Sequence, residues 1–90
     1  MATHYTYILE CSDNSLYTGY TTDVSRRVSE HNNGNGAKYT MGRTPVQLRR
    51  VELHNSRSDA MSREYEIKNY STKKKKSLIP DNKNCIAVKL

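Results

Sequence analysis

The segment from Tyr7 to His31 constrains the fold of this chain more than any other segment. In its first half, aromatic and β-branched residues flank a short polar turn that contains an Asp-Asn pair. Two such runs joined by a short turn are typical of a β-hairpin. Its second half has apolar residues one helical turn apart, so the segment predicts a hairpin that leads directly into a helix.

The hairpin is predicted to pair residues 4–10 with residues 16–21 through a polar turn at residues 12–15. Gly19 lies inside the second of these strands, where a glycine normally weakens a strand. We therefore expect Gly19 to mark either a bulge or the close approach of a ligand to the backbone.

A helix is predicted for residues 24–33, because N-cap residues precede this run and a glycine follows it. At about 100° per residue, Val24 and Val28 define its inward face, and Arg27 and His31 lie on one flank of that face. Each of these two side chains has two interpretations of equal weight. Arg27 either packs its stem on the core with its head in water or reaches inward to a site. His31 either interacts with the C-terminal end of the helix dipole or belongs to the same site.

Residues 46–54, which follow Pro45, predict a third strand. The apolar alternation in this run changes parity between Leu48 and Val51. Such a change within one strand indicates a bulge or a late start of the strand. Together with the hairpin and the helices, this strand predicts an α/β domain in which a small antiparallel sheet of three strands is flanked by helices.

A second long helix is predicted for residues 59–70, with Ser58 as its N-cap. Glu64 falls inside the apolar arc of this helix, whereas Glu66 lies on the opposite side. A carboxylate on a core-facing stripe is costly unless it has a partner or binds a metal. Two interpretations therefore remain open for Glu64: an ion pair with Lys68 or an arginine, or a role in a site.

The C-terminal part of the chain starts with a short basic helix predicted for residues 73–79, which Pro80 closes. Residues 86–88, of sequence Ile-Ala-Val, either add an edge strand or remain loose. We therefore assign residues 1–80 to one domain and residues 81–90 to a C-terminal tail.

The chain is basic, with 15 Lys and Arg against 9 Asp and Glu and a formal net charge of +6. This balance favours a polyanionic partner, most commonly nucleic acid, over the alternative of a basic surface without a partner. Basic residues occur in the loop at residues 32–43, on the second long helix and in the lysine run, where solvated charges are the alternative interpretation. The candidate phosphate contacts are Lys38, Arg43, Lys68, Lys73 and Lys74.

Cys11 and Cys85 lie far apart, without a Cys-x-x-Cys spacing and without histidines at ligand spacing. This pattern indicates free thiols in a reducing compartment rather than a zinc site. No apolar run has the length of a membrane span, and the N-terminus lacks the apolar region of a signal peptide. We therefore expect a cytoplasmic protein, a monomer in the simplest case, that has no membrane partner.

Five polar residues occur in a fixed order along the predicted elements: Tyr7, Tyr17, Arg27, His31 and Glu64. In this order the chain resembles the GIY-YIG endonuclease family over roughly residues 4–79. It is similar to the small stand-alone bacterial members and to the nuclease domain of subunits that cut branched DNA. The chain departs from the family name, with Tyr-Thr-Tyr at residues 5–7 and Tyr-Thr-Gly at residues 17–19. Neither Asn82 nor Asn84 aligns with the asparagine that some members use, so that role is not transferred.

The resemblance implies an endonuclease that hydrolyses phosphodiester bonds in DNA with a divalent metal ion, with DNA repair or recombination as its setting. Glu64 would bind the cation, Mg²⁺ or Mn²⁺. Arg27 would add positive charge where negative charge develops, and Tyr17 would orient the phosphate or the water. Tyr7 would act as general base, with His31 as the alternative final acceptor of the proton. The competing hypothesis is a nucleic-acid-binding module on the same scaffold with weak or no cleavage.

Overall fold

Four strands, three α-helices and one 3-10 turn make up residues 3–89, the part of the chain that the computed structural model describes. In chain order the elements are β1 (His4–Glu10), β2 (Leu16–Thr21), α1 (Val24–Asn32), the 3-10 turn (Lys38–Thr40), β3 (Gln47–His54), α2 (Arg57–Lys68), α3 (Thr72–Lys76) and β4 (Ile86–Lys89). The strand order in the sheet is β2-β1-β3-β4. No helix within residues 3–89 has the length and apolar character needed to cross a membrane.

The α/β architecture, the hairpin and the antiparallel pairing of the three predicted strands are confirmed, but the sheet is not purely antiparallel because it contains a fourth strand. β1 pairs antiparallel with β2 and with β3, as predicted. β4 adds a fourth strand that runs parallel to β3, so the sheet is mixed. The Ile-Ala-Val run of the tail therefore forms an edge strand, the first of its two predicted alternatives.

The parity change in the third strand is caused by a bulge at Arg49. Leu9 pairs with Leu48 and Ile8 pairs with Arg50, so Arg49 has no partner residue on β1. An extra residue of this kind turns the following side chains to the opposite face. The bulge alternative predicted for this strand is therefore confirmed.

The side chain of Arg49 also explains why the tail joins the sheet. It is only 3% exposed and forms an ion pair with Glu10. Its remaining N–H groups donate to backbone carbonyls of the segment before β4, those of Pro80, Asn82 and Asn84. A buried guanidinium is stable only with such partners. The tail therefore supplies acceptors for Arg49, which in turn holds β4 beside β3.

Helix α1 begins where its sequence predicts and ends one residue earlier, at Asn32. The carboxylate of Asp23 accepts a hydrogen bond from the N–H of Arg26 at 3.1 Å and caps the first turn. The helix ends at Asn32, and Gly34 follows with a φ of 81°, a conformation that favours glycine.

Helix α2 begins two residues earlier than predicted. Ser56, not Ser58, is its N-cap, because the Ser56 hydroxyl accepts a hydrogen bond from the N–H of Asp59 at 3.1 Å. Ser56 has the extended backbone conformation that an N-cap requires. The correction leaves the face assignment of Glu64 unchanged, since the helical spacing is the same.

The two long helices pack against opposite faces of the sheet, because neighbouring residues of a strand point to opposite sides. On one face, Tyr7 contacts α1 through His31. On the other face, the hydroxyl of Thr6 donates to the carbonyl of Ala60 in α2 at 2.7 Å. α2 also packs against β2, the strand that carries Tyr17. Residues of both helices therefore lie near Tyr17, namely His31 of α1 and Lys68 of α2.

A buried charge cluster sets the rotation of α2 about its axis. Glu52 of β3 is fully buried and accepts hydrogen bonds from Arg50 at 2.7 Å and from Arg63 of α2 at 2.8 Å. Burial alone raises the pKa of Glu52, but the hydrogen bonds from Arg63 and Arg50 outweigh it and hold that pKa below its ordinary value. Because Arg63 is anchored to the sheet, the direction of the neighbouring Glu64 is determined.

Candidate active site

The ring of Tyr7 lies directly over Gly19. The two residues are paired across β1 and β2, and a methyl group added at Gly19 would lie 2.4 Å from the Tyr7 hydroxyl oxygen. Any side chain at this position would displace the ring. The bulge alternative for Gly19 is wrong, because the pairing is regular there, and the group that lies close to its backbone within the protein is the Tyr7 ring.

The hydroxyl of Tyr7 is hydrogen-bonded to His31 across the interior of the protein. Its oxygen lies 2.9 Å from Nε2 of His31, and both residues are almost fully buried. On the other side of the ring, His31 Nδ1 lies 2.8 Å from the hydroxyl of Thr40 and 3.3 Å from the backbone N–H of Ala37. Both ring nitrogens of His31 therefore have partners in the interior, so its contacts extend beyond the C-terminal end of the helix dipole.

The hydrogen-bond pattern favours one tautomer of His31. The hydroxyl of Thr40 donates to the carbonyl of Ala37 at 2.9 Å, so its oxygen is left to accept from Nδ1–H of His31. Nε2 then carries the lone pair that accepts the proton of Tyr7. This assignment leaves only the longest contact, the one at 3.3 Å, without a hydrogen bond. The other tautomer would leave one of the two shorter contacts unfilled.

Burial keeps both members of the Tyr7–His31 pair neutral at pH 7. Burial and the neighbouring Tyr17 raise the pKa of Tyr7 to about 12, although Arg27 acts in the opposite direction. Burial, followed by the positive charge of Arg27, lowers the pKa of His31, and Glu30 opposes this change. The resting pair is therefore a neutral phenol that faces a neutral imidazole.

The depressed pKa of His31 predicts a loss of stability in mild acid. The unfolded chain binds a proton at the ordinary histidine pKa of 6.5, whereas the folded protein binds it only at lower pH. The contribution of His31 is therefore complete above pH 6.5 and is lost as the pH falls through the folded pKa. We expect the melting temperature to decrease as the pH is lowered from about 7 to about 5.

His31→Gln is the control for this effect, because the amide does not titrate. The variant is expected to melt with a smaller pH dependence in the same interval, whatever its absolute stability. The carboxylates with lowered pKa values, such as Glu52, titrate below their ordinary value of 4.5 and do not contribute in this range. An unchanged pH dependence in His31→Gln would contradict the assignment.

Tyr17 and Arg27 lie beside this pair. The ring of Tyr17 has its centroid 6.4 Å from that of Tyr7 and 5.2 Å from that of His31. Arg27 lowers the pKa of Tyr7 by its charge and forms an ion pair with Glu30 at 2.9 Å. Arg27 therefore acts on the Tyr7 hydroxyl, in agreement with the inward alternative, while its side chain is 30% exposed and its guanidinium is hydrogen-bonded to Glu30.

Glu64 lies on the side of α2 that faces the tyrosines. Its carboxylate raises the pKa of Tyr7, and its Oε1 lies 3.5 Å from Nζ of Lys68. The Lys68 ammonium also lies 5.6 Å from the ring centroid of Tyr17. Glu66, in contrast, is 56% exposed and pairs with Arg63 at 2.8 Å. The ion pair with Lys68 and a position in the site are therefore compatible for Glu64.

The other candidate phosphate contacts are distributed around the site. Arg43 forms an ion pair with Asp13 at 2.5 Å, and Lys74 lies over the ring of Tyr70 at 4.1 Å. Lys38 and Lys73 are exposed. Of the five candidates, Lys68 is the one that pairs with Glu64 and lies over the ring of Tyr17.

Sequence reasoning missed two residues that hold His31 in place. Thr40 contacts Nδ1, and a methyl group added at Gly36 would lie 2.3 Å from the same nitrogen. Both lie in the loop between α1 and β3, which contains the 3-10 turn. The only signal in the sequence was the density of glycine in this loop, which by itself indicates a turn.

Comparison with known proteins places these residues in a family context. A sequence profile described as the GIY-YIG catalytic domain matches residues 3–77. A UPF0213 protein of Haloquadratum walsbyi is 68% identical over 75 residues, which cover 83% of this chain and 84% of that protein. A UPF0213 protein of Staphylococcus haemolyticus is 56% identical over 81 residues, with coverages of 90% and 99%.

A solved structure supports the same relationship. The solution NMR structure of a UPF0213 protein from Bacillus halodurans is 54% identical and superposes with a TM-score of 0.56. The superposition covers 84% of this chain and 81% of that one. At this level of identity the likeness extends beyond the fold to the sequence.

Proposed function

The chain belongs to the GIY-YIG family, a family of nucleases, and from this premise we propose that it is a metal-dependent endonuclease that hydrolyses phosphodiester bonds in DNA. One observation carries the proposal: the hydroxyl of buried Tyr7 lies 2.9 Å from His31 Nε2, with Arg27 and Glu64 close enough to shift its pKa. Perturbed titratable groups that converge in this way are typical of catalytic sites. We propose DNA repair or recombination inside the cell as its setting.

Glu64 is the residue proposed to hold the divalent cation, Mg²⁺ or Mn²⁺. Within residues 3–89, no group of three or more His, Cys, Asp or Glu side chains is arranged to hold a metal on its own. A single carboxylate fits Mg²⁺, which keeps several waters and is commonly completed by substrate phosphate oxygens. When bound there, the cation would supply Lewis-acid stabilisation of the charge on the phosphate and the leaving oxygen.

The free energy of deprotonation favours a relay through Tyr7 over a stable tyrosinate. With a pKa of about 12, ionising Tyr7 at pH 7 costs about 7 kcal/mol. This cost is avoided if the hydroxyl accepts the proton of the attacking water while it donates its own proton to His31. The tautomer set by Thr40 leaves Nε2 of His31 free to accept. We therefore propose His31 as the final acceptor and Tyr7 as the group that touches the water.

Arg27 is proposed to stabilise the pentavalent phosphate. Its guanidinium is about one-third exposed and pairs with Glu30 in the absence of substrate. The two non-bridging oxygens of a phosphodiester offer the same bidentate acceptor geometry as a carboxylate, so substrate binding would exchange one partner for another. The guanidinium then carries its charge to the place where negative charge develops.

The proposal is tested by incubating the protein with supercoiled plasmid, single-stranded DNA, branched DNA and RNA. We expect cleavage of at least one DNA substrate with Mg²⁺ or Mn²⁺ and none after chelation with EDTA. RNA is the control for the sugar preference. Binding without cleavage of any substrate, in either metal, would refute the proposal in favour of the nucleic-acid-binding module.

A further inference from the structure

A groove beside the candidate active site is lined by groups that the proposed reaction does not use. It lies between the turn that joins β1 to β2, the side chain of Tyr39 in the 3-10 turn, and α3. Its volume is about 280 Å³. We call it the Tyr39 groove.

The Tyr39 groove is continuous with the group of residues proposed to carry the reaction. We call this group the catalytic cluster: Tyr7, Tyr17, Arg27, His31 and Glu64. The ring of Tyr39 stacks on that of Tyr17, with centroids 5.9 Å apart and planes inclined by 26°. Leu16, the residue before Tyr17 on β2, lines the groove. A nucleic-acid strand that leaves the site past Tyr17 therefore meets Tyr39 next.

The groove carries positive charge on one wall and a compensated charge on the other. Lys75 and Lys76 of α3 line it. The carboxylate on the opposite wall, that of Asp13, is paired with Arg43 at 2.5 Å. The wall that would repel a phosphate is therefore neutralised, and the two lysines remain to attract it.

Tyr39, which lines the groove, and Arg43, which lies over its ring, together present a stacking surface. Tyr39 is 42% exposed, and the guanidinium carbon of Arg43 lies 4.5 Å from its ring centroid. Aromatic rings and arginine planes are the two surfaces on which unpaired bases stack in nucleic-acid complexes. Bases inside a duplex are already stacked on one another and do not offer their faces in this way.

We infer that the Tyr39 groove holds one unpaired nucleotide of the substrate strand next to the phosphate at the catalytic cluster. Its base would stack on Tyr39 and Arg43, and its phosphate would lie near Lys75 and Lys76. This inference rests on the proposed nuclease function and specifies its substrate class: DNA with a single-stranded segment adjacent to the cleavage position.

Tyr39 variants test the stacking. Binding is measured by fluorescence anisotropy in EDTA with a labelled single strand of about 12 nucleotides and with the matched duplex. Tyr39→Leu is expected to weaken single-strand binding by roughly 5- to 100-fold and to change duplex binding little. Tyr39→Phe keeps the ring and is expected to bind like the parent. Thermal melting of each variant checks that the fold is retained.

Two lysine pairs test the phosphate contact. Lys75→Gln with Lys76→Gln should reduce the salt slope of single-strand binding by about 1.4, since each phosphate contact contributes about 0.7. Lys83→Gln with Lys89→Gln removes the same charge from exposed residues that neither line the groove nor belong to the candidate phosphate contacts. This control pair is expected to change the slope less.

The outcomes separate this inference from the proposed function. Parent-like single-strand binding by Tyr39→Leu, or equal effects of the two lysine pairs, would overturn the groove assignment. The same holds if the parent itself does not bind the single strand. Binding that depends on Tyr39 and Lys75 in a protein that cuts nothing would support the groove and refute the nuclease proposal.

Discussion

Replacing Glu64 with glutamine is expected to abolish metal-dependent cleavage while the protein remains folded. The amide keeps the size of the side chain but removes the charge that would hold the cation, so cleavage should fall by roughly 1000-fold or below detection. Among residues 3–89, the ion pair that Glu64→Gln removes is the one with Lys68 at 3.5 Å, and the Glu64 side chain is 20% exposed. A pair of this kind on a helix surface contributes about 0.5 kcal/mol or less to stability. Nicking assays and thermal melting measure the two effects separately.

Glu66→Gln is the matched control, two residues further along the same helix. Glu66 is an exposed carboxylate that pairs with Arg63, so its replacement removes the same charge on the side of α2 away from Tyr7. It should leave the melting temperature almost unchanged and cleavage near the parent rate. Equal losses of cleavage from the two substitutions would contradict the assignment of the metal to Glu64.

Tyr7→Phe is expected to reduce cleavage by roughly 100-fold or more, the usual scale of acid–base catalysis. The ring and its packing over Gly19 remain, and the charged surface is unchanged. Nucleic-acid binding should therefore stay within about 1 kcal/mol of the parent, the usual net contribution of one hydrogen bond. The buried Nε2 of His31 loses its partner, which should lower the free energy of unfolding by about 1–3 kcal/mol. Single-turnover cleavage, anisotropy and melting measure these quantities.

The same hairpin provides a control for Tyr7→Phe. The hydroxyl of Tyr20 is hydrogen-bonded to Nδ1 of His4 at 2.7 Å, so Tyr20→Phe also removes a tyrosine–histidine hydrogen bond from β1 and β2. It does so away from Tyr7, and cleavage should remain near the parent rate. A Tyr7→Phe protein that cuts like the parent would remove Tyr7 from the mechanism and leave His31 as the direct base.

Local pattern was sufficient to predict most of what surrounds the Tyr7 hydroxyl. The alternation of the first two strands predicted the hairpin, and its register carries Tyr7 over Gly19. The helical period of α1 placed Arg27 and His31 on one side, and that of α2 separated Glu64 from Glu66. These properties depend on the side-chain periods of two residues in a strand and 3.6 residues in a helix. Such periods can be recognised from a short run of consecutive residues.

The arrangement of distant segments was beyond such reasoning. The parallel pairing of β4 depends on Arg49, a bulged residue whose carbonyl partners lie more than 30 residues later in the chain. The start of α2 was misplaced because Ser56 and Ser58 are equally good caps until the backbone conformation is known. In both cases two or more local solutions were acceptable, and tertiary contacts selected one.

The sequence by itself therefore determined which side chains face inward from each element, since that depends only on the period of the backbone. Only the tertiary structure decided what those side chains meet. Thr40 fixes the tautomer of His31, and Tyr39 stacks on Tyr17, through a loop whose sequence indicates nothing more than a turn. The physical reason is that hydrogen bonds and ring stacking act over a few ångströms in space. Residues far apart in the chain come within that range only after the sheet and both helices have packed.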